Sequence, residues 1–281
     1  MDTLIRKAKI LVEALPYIRA FAGKTLVIKY GGRAMTAKGL QTTFAQDVVL
    51  LKYVGIQPVI VHGGGPQISR MMARLGKTPT FVRGIRVTDP DTMKIVEKVL
   101  GTLNSGIVAA INRQGGQAVG LTGKDAGLLT ARPHRSASRT GLAGEVERVN
   151  TAMLTRLQNG RFIPVIAPVG AGRDGRTYNV NADAAAGAIA AALRAEKLIT
   201  LTDTAGVLDA SGRLLPTLKK KEIVRLTKRR VIEAGMLPKV EACLTALNGG
   251  VAKAHIIDGR VPHALLLEVF TDRGVGTEIL A

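Results

Sequence analysis

Two lysines, one aspartate and several glycine clusters carry most of the chemistry open to this chain. Lys29 closes an apolar run, Leu26-Val27-Ile28, and Gly31 and Gly32 follow almost at once. Such runs form buried parallel strands, and the C-terminal edge of an open α/β sheet is where ligands sit. Glycine there lets backbone N–H groups approach an anion, and a helix starting at about Thr36 would add its N-terminal dipole. A second strand, Pro58 to Val61, ends in His62-Gly63-Gly64-Gly65-Pro66, with a helix over Gln67 to Leu75. Two strand–glycine–helix turns so close together point to a phosphate site with a lysine already in place. Neither turn carries GxGxxG, which excludes a dinucleotide fingerprint. A Walker loop is excluded too: Gly123-Lys124 has Ala118 where the first glycine belongs and Asp125 after the lysine.

These groups need elements to hold them. Leu4, Ala8, Leu11, Leu15 and Ile18 predict a helix over residues 3–20 with a 4-3-4-3 coiled-coil seam, kinked at Pro16. Helices are expected at 44–54 and 91–113, with a strand near Ala118. Strands at 128–131 and 145–149 read as a hairpin flanking a Gly-, Arg- and Ser-rich stretch. A strand at 162–167 leads into a turn-rich loop, 170–176. The run Asn179-Val180-Asn181-Ala182-Asp183 then caps an Ala-rich helix over 184–193, with Asp183 itself a candidate N-cap. Beyond lie a strand at 198–201, a basic helix within 219–230, a helix ending at Leu247, a strand at 254–257, a short helix around 263–267 and a closing strand near 276–279. Two α/β lobes meet near residue 182.

A chain of 281 residues with net charge +19 raises nucleic acid as a partner, but aromatics are only 3% and tryptophan is absent, so stacking platforms are scarce. The densest basic run, Lys219 to Arg230, has apolar positions Ile223, Val224 and Leu226 at helical spacing and reads as a solvated helix face. A single cysteine, Cys243, excludes an intrachain disulfide and reads as a small buried hydrophobe. The histidines show no metal-ligand spacing, and no apolar stretch reaches membrane-spanning length. No membrane partner is expected, and the cytoplasm is the expected compartment.

Taken in order, VIKYGG, VHGGGPQI, GIRVTD, YNVNADAAA, LTDTAGVL and GMLPKVEA resemble the amino acid kinase family, from about Lys24 to the C-terminus. The likeness is to the branch that phosphorylates N-acetyl-L-glutamate in arginine biosynthesis. The first motif matches neither the KFGGTS-like version of aspartokinases nor the Gly-Ser version of glutamate 5-kinases. The resemblance implies an α/β fold: a three-layer αβα sandwich with a mainly parallel central sheet in two lobes. It divides the chain into an N-terminal helix (1–22) for oligomerisation, a substrate lobe (23–181) and an ATP lobe (182–281). It implies transfer of the γ-phosphoryl of ATP, with Mg2+, to the side-chain carboxylate of N-acetyl-L-glutamate, without a dedicated metal cage on the protein.

By the same resemblance, Lys29 and Lys239 flank the transferring phosphoryl group and Asp183 holds both. Gly31, Gly32 and Gly64 donate N–H groups to phosphate, and Gly64 and Gly65 line the substrate pocket. Arg86 and Asn179 hold the α-carboxylate and acetamido end, while Thr202, Asp203 and Gly206 belong to the nucleotide loop. The N-terminal helix resembles the one that joins dimers into a hexameric ring in arginine-inhibited members, where Tyr17, Glu268 and Gly274 match the L-arginine site and Glu268 is the guanidinium partner. Ser105 departs from the pattern, standing where a lysine is expected in a helix that is glycine-rich at Gly101 to Gly106. The alternatives are a kinase for a related acidic amino-acid derivative, and a catalytically silent basic relative that binds nucleic acid.

Overall fold

The computed structural model describes the chain except residues 36–37, 83 and 273, and describes the backbone alone at 7, 33, 34, 38, 137, 138 and 234. Helix α1 (Asp2–Phe21) leads into β1 (Thr25–Tyr30), a 3-10 turn over Gly32–Met35 and α2 (Lys38–Tyr53). Next come β2 (Gln57–His62), α3 (Gly65–Arg74), a minimal hairpin β3 (Phe81–Val82) and β4 (Ile85–Arg86), and the long α4 (Pro90–Arg113). The chain continues through β5 (Ala118–Thr122), β6 (Leu129–Pro133), α5 (Ala137–Thr140), β7 (Ala143–Val149), α6 (Ala152–Asn159), β8 (Ile163–Ala167), β9 (Val169–Gly172) and β10 (Thr177–Val180). It closes with α7 (Ala182–Leu193), β11 (Lys197–Thr202), β12 (Thr217–Lys219), α8 (Lys220–Lys228), α9 (Leu237–Asn248), β13 (Lys253–Asp258), α10 (Ala264–Val269) and β14 (Thr277–Leu280).

Eight strands make one sheet in the order β12-β14-β13-β11-β1-β2-β8-β5, parallel throughout except where β14 runs against β13. Alternate residues of β1 feed two cores, as the two-residue strand period demands. Leu26, Ile28 and Tyr30 pack with Phe44 and Val48 of α2, Ile107 of α4 and Leu265 of α10. Val27 points the other way, to Ala185 and Ile189 of α7 and Val240 and Cys243 of α9. The sheet is therefore the middle of three layers, and Lys29, in step with Val27, faces α7.

Several local expectations are corrected. The helix start at Thr36 lies outside the described residues, and α2 begins at Lys38 rather than Phe44. The stretch 170–176 is not simply loop: β9 and β10 form an antiparallel hairpin that closes with β6 and β7 into a small four-stranded barrel. Gly170 makes this possible, since a Cβ there would stand 2.7 Å from the Ala131 Cβ. Asn181, not Asp183, caps α7, accepting from the N–H groups of Asp183 and Ala184. Helix α4 runs unbroken past Gly101 and Gly106, both facing open space, and Ser105 is exposed. In the basic run, Ile223 is buried while Val224 faces out.

Candidate active site

Strand β1 sits at the centre of the sheet, with β2 on one side and β11 on the other, so the crevice beyond their C-terminal ends is a topological switch point. The turn after β1 lies against the turn after β11: a Cβ on Gly32, whose φ is +68°, would stand 3.5 Å from the Asp203 amide nitrogen. Across the other side, the Gly63 N–H donates to the Tyr30 carbonyl at 2.8 Å, bringing the second glycine turn beside the first.

Into this crevice α7 and α9 deliver one residue each. They cross closely because glycine stands at the contact: a Cβ on Gly187 would lie 2.6 Å from the Ala242 carbonyl oxygen. Asp183, in the first turn of α7, and Lys239, in the first turn of α9, thereby meet Lys29 from β1. The Lys29 Nζ is 3.1 Å from Asp183 Oδ1, and the Lys239 Nζ is 3.5 Å from Oδ2 and 3.2 Å from the Gly235 carbonyl oxygen. Lys29 and Asp183 are both buried. Burial raises the Asp183 carboxyl pKa, and the Lys29 and Lys239 ammonium groups more than reverse this, so it lies below the usual value. The cluster carries one net positive charge, on two ammonium groups held to a common point. Gly31 belongs to it, because a Cβ there would be 2.5 Å from the Lys29 Nζ.

The remaining candidates lie around this cluster or apart from it. Gly64 and Gly65 open α3, and a Cβ on Gly64 would strike Leu100 of α4 at 2.6 Å. Arg86 is buried with its guanidinium 4.7 Å from the Phe81 ring centroid. Its Nη2 donates to the Gly65 carbonyl at 2.9 Å and the Ser69 hydroxyl at 2.8 Å, and Nη1 faces the Met72 sulfur at 3.2 Å. The fork is thus engaged with α3 and not open. Asn179 joins this neighbourhood through Thr88: its Nδ2 donates to the Thr88 hydroxyl at 3.2 Å, which donates to the Arg86 carbonyl at 3.0 Å. Thr202 ends β11, with its hydroxyl 3.3 Å from the exposed Asp203 carboxylate. Gly206 packs inward instead, where a Cβ would strike the Thr277 hydroxyl at 2.6 Å.

Tyr17, Glu268 and Gly274 gather elsewhere, in a cavity of about 310 Å³ at the N-terminal ends of β11 and β13. Tyr17 donates to the Asp272 carboxylate, tying α1 to the loop after α10. Glu268 is buried, 2.6 Å from the His255 Nδ1, and accepts from the Val275 N–H at 2.9 Å. Burial raises its carboxyl pKa, but His255, the Val275 amide and Lys197 hold it below the usual value. Gly274 lies so close that a Cβ would be 2.7 Å from Glu268 Oε2. Lys197 and His255 also line the cavity, and Thr88 and Ser69 hold Asn179 and Arg86. None of the four stands out in the sequence, because each meets its partner only once separate segments are folded together.

The amino acid kinase family profile matches residues 24–258. The chain is 55% identical over 289 residues to the acetylglutamate kinase of Syntrophobacter fumaroxidans, covering 99% of this chain and 97% of that one. It is 56% identical over 284 residues to the acetylglutamate kinase of Bordetella avium, covering 98% and 95%. Among solved structures, the N-acetylglutamate synthase of Neisseria gonorrhoeae, complexed with coenzyme A and N-acetyl-glutamate, superposes with a TM-score of 0.86 at 32% identity over 98% of this chain. This chain spans only 63% of that synthase. The same synthase complexed with coenzyme A and L-arginine gives 0.84 at 30% identity, over 97% of this chain and 65% of that one.

Proposed function

The chain belongs to the amino acid kinase family, and we propose that it transfers the γ-phosphoryl of ATP to the side-chain carboxylate of N-acetyl-L-glutamate, giving the acyl phosphate and ADP. The observation that carries this is the Lys29–Asp183–Lys239 cluster, built on a buried carboxylate at the C-terminal edge of β1, in a chain so close to acetylglutamate kinases. The acceptor carboxylate, with an ordinary pKa near ~4, is already ionised at neutral pH, so no general base is needed. Its oxygen forms a bond to the γ-phosphorus as the bond to the β–γ bridging oxygen breaks, and no proton moves. What remains for the protein is positioning and charge compensation.

Lys29 and Lys239 fill that role, one reaching from each side of the crevice towards the oxygens of the moving group. Asp183 keeps two like charges together that would otherwise repel. We assign phosphate contacts to the Gly31, Gly32 and Gly64 amides and nucleotide contacts to Thr202 and Asp203; Gly206 would shape that loop. Arg86 would exchange its Gly65 and Ser69 partners for the substrate α-carboxylate, and Asn179 would meet the acetamido end. On this reading residues 23–181 would hold the substrate and residues 182–281 the nucleotide. Asp183 is taken by two ammonium groups, and no cluster of His, Cys, Asp or Glu able to hold a metal ion lies among the described residues. Mg2+ therefore fits as a companion of the nucleotide's own phosphate oxygens, whose charge it offsets when bound.

The test is steady-state turnover of Lys29→Ala and Lys239→Ala. Each is expected to lose about 100-fold or more in kcat, the scale on which fixed charge-stabilising donors act. Full turnover in either variant removes the role assigned to that lysine.

We infer further that L-arginine inhibits, bound in the cavity of Tyr17, Glu268 and Gly274. Opposed charges line it, Lys197 and Lys253 beside Glu268, Asp272 and Glu278, as suits an amino acid with a cationic side chain. The exposed Leu4, Leu11 and Leu15 on α1 support a homo-oligomer, a dimer or a hexamer joined through this helix. No helix among the described residues is long and apolar enough to cross a membrane, and we place the chain in the cytoplasm. Titration with L-arginine is expected to lower turnover; a rate that does not respond rejects this assignment.

A further inference from the structure

His62 ends β2 and is fully buried. Its ring lies between two fixed partners: Nδ1 is 2.9 Å from the Gly63 carbonyl oxygen, and Nε2 is 3.2 Å from the Asn104 side-chain nitrogen. A carbonyl only accepts, so Nδ1 carries the proton; an amide nitrogen only donates, so Nε2 supplies its lone pair. Asn104 is itself pinned. Its Nδ2 also donates to the Val165 carbonyl at 2.9 Å, and its Oδ1 occupies space that glycine leaves, 2.1 Å from where a Cβ on Gly120 would stand. Burial lowers the imidazole pKa to about 4, so one neutral tautomer persists at physiological pH.

The consequence falls on the next peptide. Across a trans peptide, the carbonyl of one residue and the N–H of the next point in opposite directions, and none of the described peptides is cis. The Gly63 N–H is held by Tyr30 at 2.8 Å, and the Gly64 carbonyl accepts from the Ile68 N–H at 2.9 Å. With the Gly63 carbonyl drawn towards His62, the Gly64 N–H is turned the other way. It has no acceptor among the described residues.

We propose that His62 is a positioning residue which, through the Gly63 carbonyl, aims the Gly64 amide at the transferring phosphoryl group. The proposal rests on the reading of Gly64 as a phosphate donor. Its physical content is preorganisation: a donor already aimed needs no reorientation as charge develops.

Two polar substitutions separate this role from packing. In His62→Asn the side-chain nitrogen stands roughly where Nδ1 stood and can still hold the Gly63 carbonyl. His62→Gln places its amide near the former Nε2 and cannot. Both lose the ring, so both are expected to melt earlier. The Asn variant should keep kcat within about threefold of the parent, and the Gln variant should lose about 10- to 100-fold in kcat with KM for N-acetyl-L-glutamate within about twofold. Should the Gln variant fail to fold, Asn104→Ala, which frees the ring without touching it, should lose kcat in the same sense. Equal kcat losses in the Asn and Gln variants, or a parental kcat in Gln or in Asn104→Ala, overturn the proposal. The parent's own turnover separates the failures: an inactive parent removes the function and this inference with it, whereas an active parent beside any of those outcomes removes the inference alone.

Discussion

Asp183 gives up its hydration on folding and remains charged because two ammonium groups replace the water. Its pKa is lowered on folding, so the stability it contributes is present above the unfolded value of 3.8 and is lost as pH falls through the lower folded value. The carboxylate is accordingly charged at neutral pH, and acid that protonates it loosens the cluster. Arg86 shows a second residue-scale point, since its planar fork already holds a carbonyl and a hydroxyl on α3. A lysine would keep the charge but not the fork. Arg86→Lys is expected to raise KM for N-acetyl-L-glutamate about 10-fold or more with a smaller effect on kcat, measured by steady-state kinetics. An unchanged KM removes Arg86 from the substrate pocket. The types of Lys29, Asp183, Lys239 and Arg86 could be read from the sequence through their motifs. The pairing of Asp183 with both lysines was legible through the resemblance and is what α7 and α9 bring together. The hold of α3 on Arg86 through Gly65 and Ser69 was not, because it depends on how the β3–β4 hairpin folds back over that helix.

At the scale of elements, α2 and α10 are clamped by Asp47 and His263, whose Nδ1 is 2.5 Å from the Asp47 Oδ1. Burial pushes the Asp47 carboxyl from 3.8 up to about 6, although His263 and the Leu265 amide pull it down. The folded chain therefore holds this proton more tightly than the unfolded chain. Its contribution to stability is present below pH 3.8 and is lost as pH rises through about 6. Asp47→Asn keeps a donor and an acceptor but cannot titrate. Urea unfolding at several pH values is expected to show the parent losing about 2 kcal/mol relative to the variant between pH 4 and 7. Parallel pH profiles contradict this. The strands β1, β2, β8, β11 and β13 were readable because each is a buried apolar run. The hairpin of β9 and β10 was not, since its four-residue strands owe their pairing to the barrel they close. The NVNAD run reads as a cap with Asp183 as the candidate residue, and only the backbone path shows that Asn181 fills that place.

Across the whole molecule, one sheet carries two sites at opposite edges. The lysine cluster lies beyond the C-terminal ends of β1, β2 and β11, while the Glu268 cavity opens at Lys197 and Lys253, which begin β11 and β13. The same strands thus run from the proposed effector to the proposed site of chemistry. The net charge of +19 surrounds both with a field that attracts ATP and dicarboxylates. It is not concentrated on a nucleic-acid platform: in the basic run Lys221, Arg225 and Lys228 are exposed around a buried Ile223, a solvated face as the spacing predicted. A silent binding module would have no use for two ammonium groups held against one buried carboxylate. The most direct measurement is ATP-dependent acyl-phosphate formation by the purified chain, trapped with hydroxylamine, on N-acetyl-L-glutamate, free L-glutamate and L-aspartate. Hydroxamate from N-acetyl-L-glutamate alone is the predicted result; none from it, or an equal yield from free glutamate, would contradict the account.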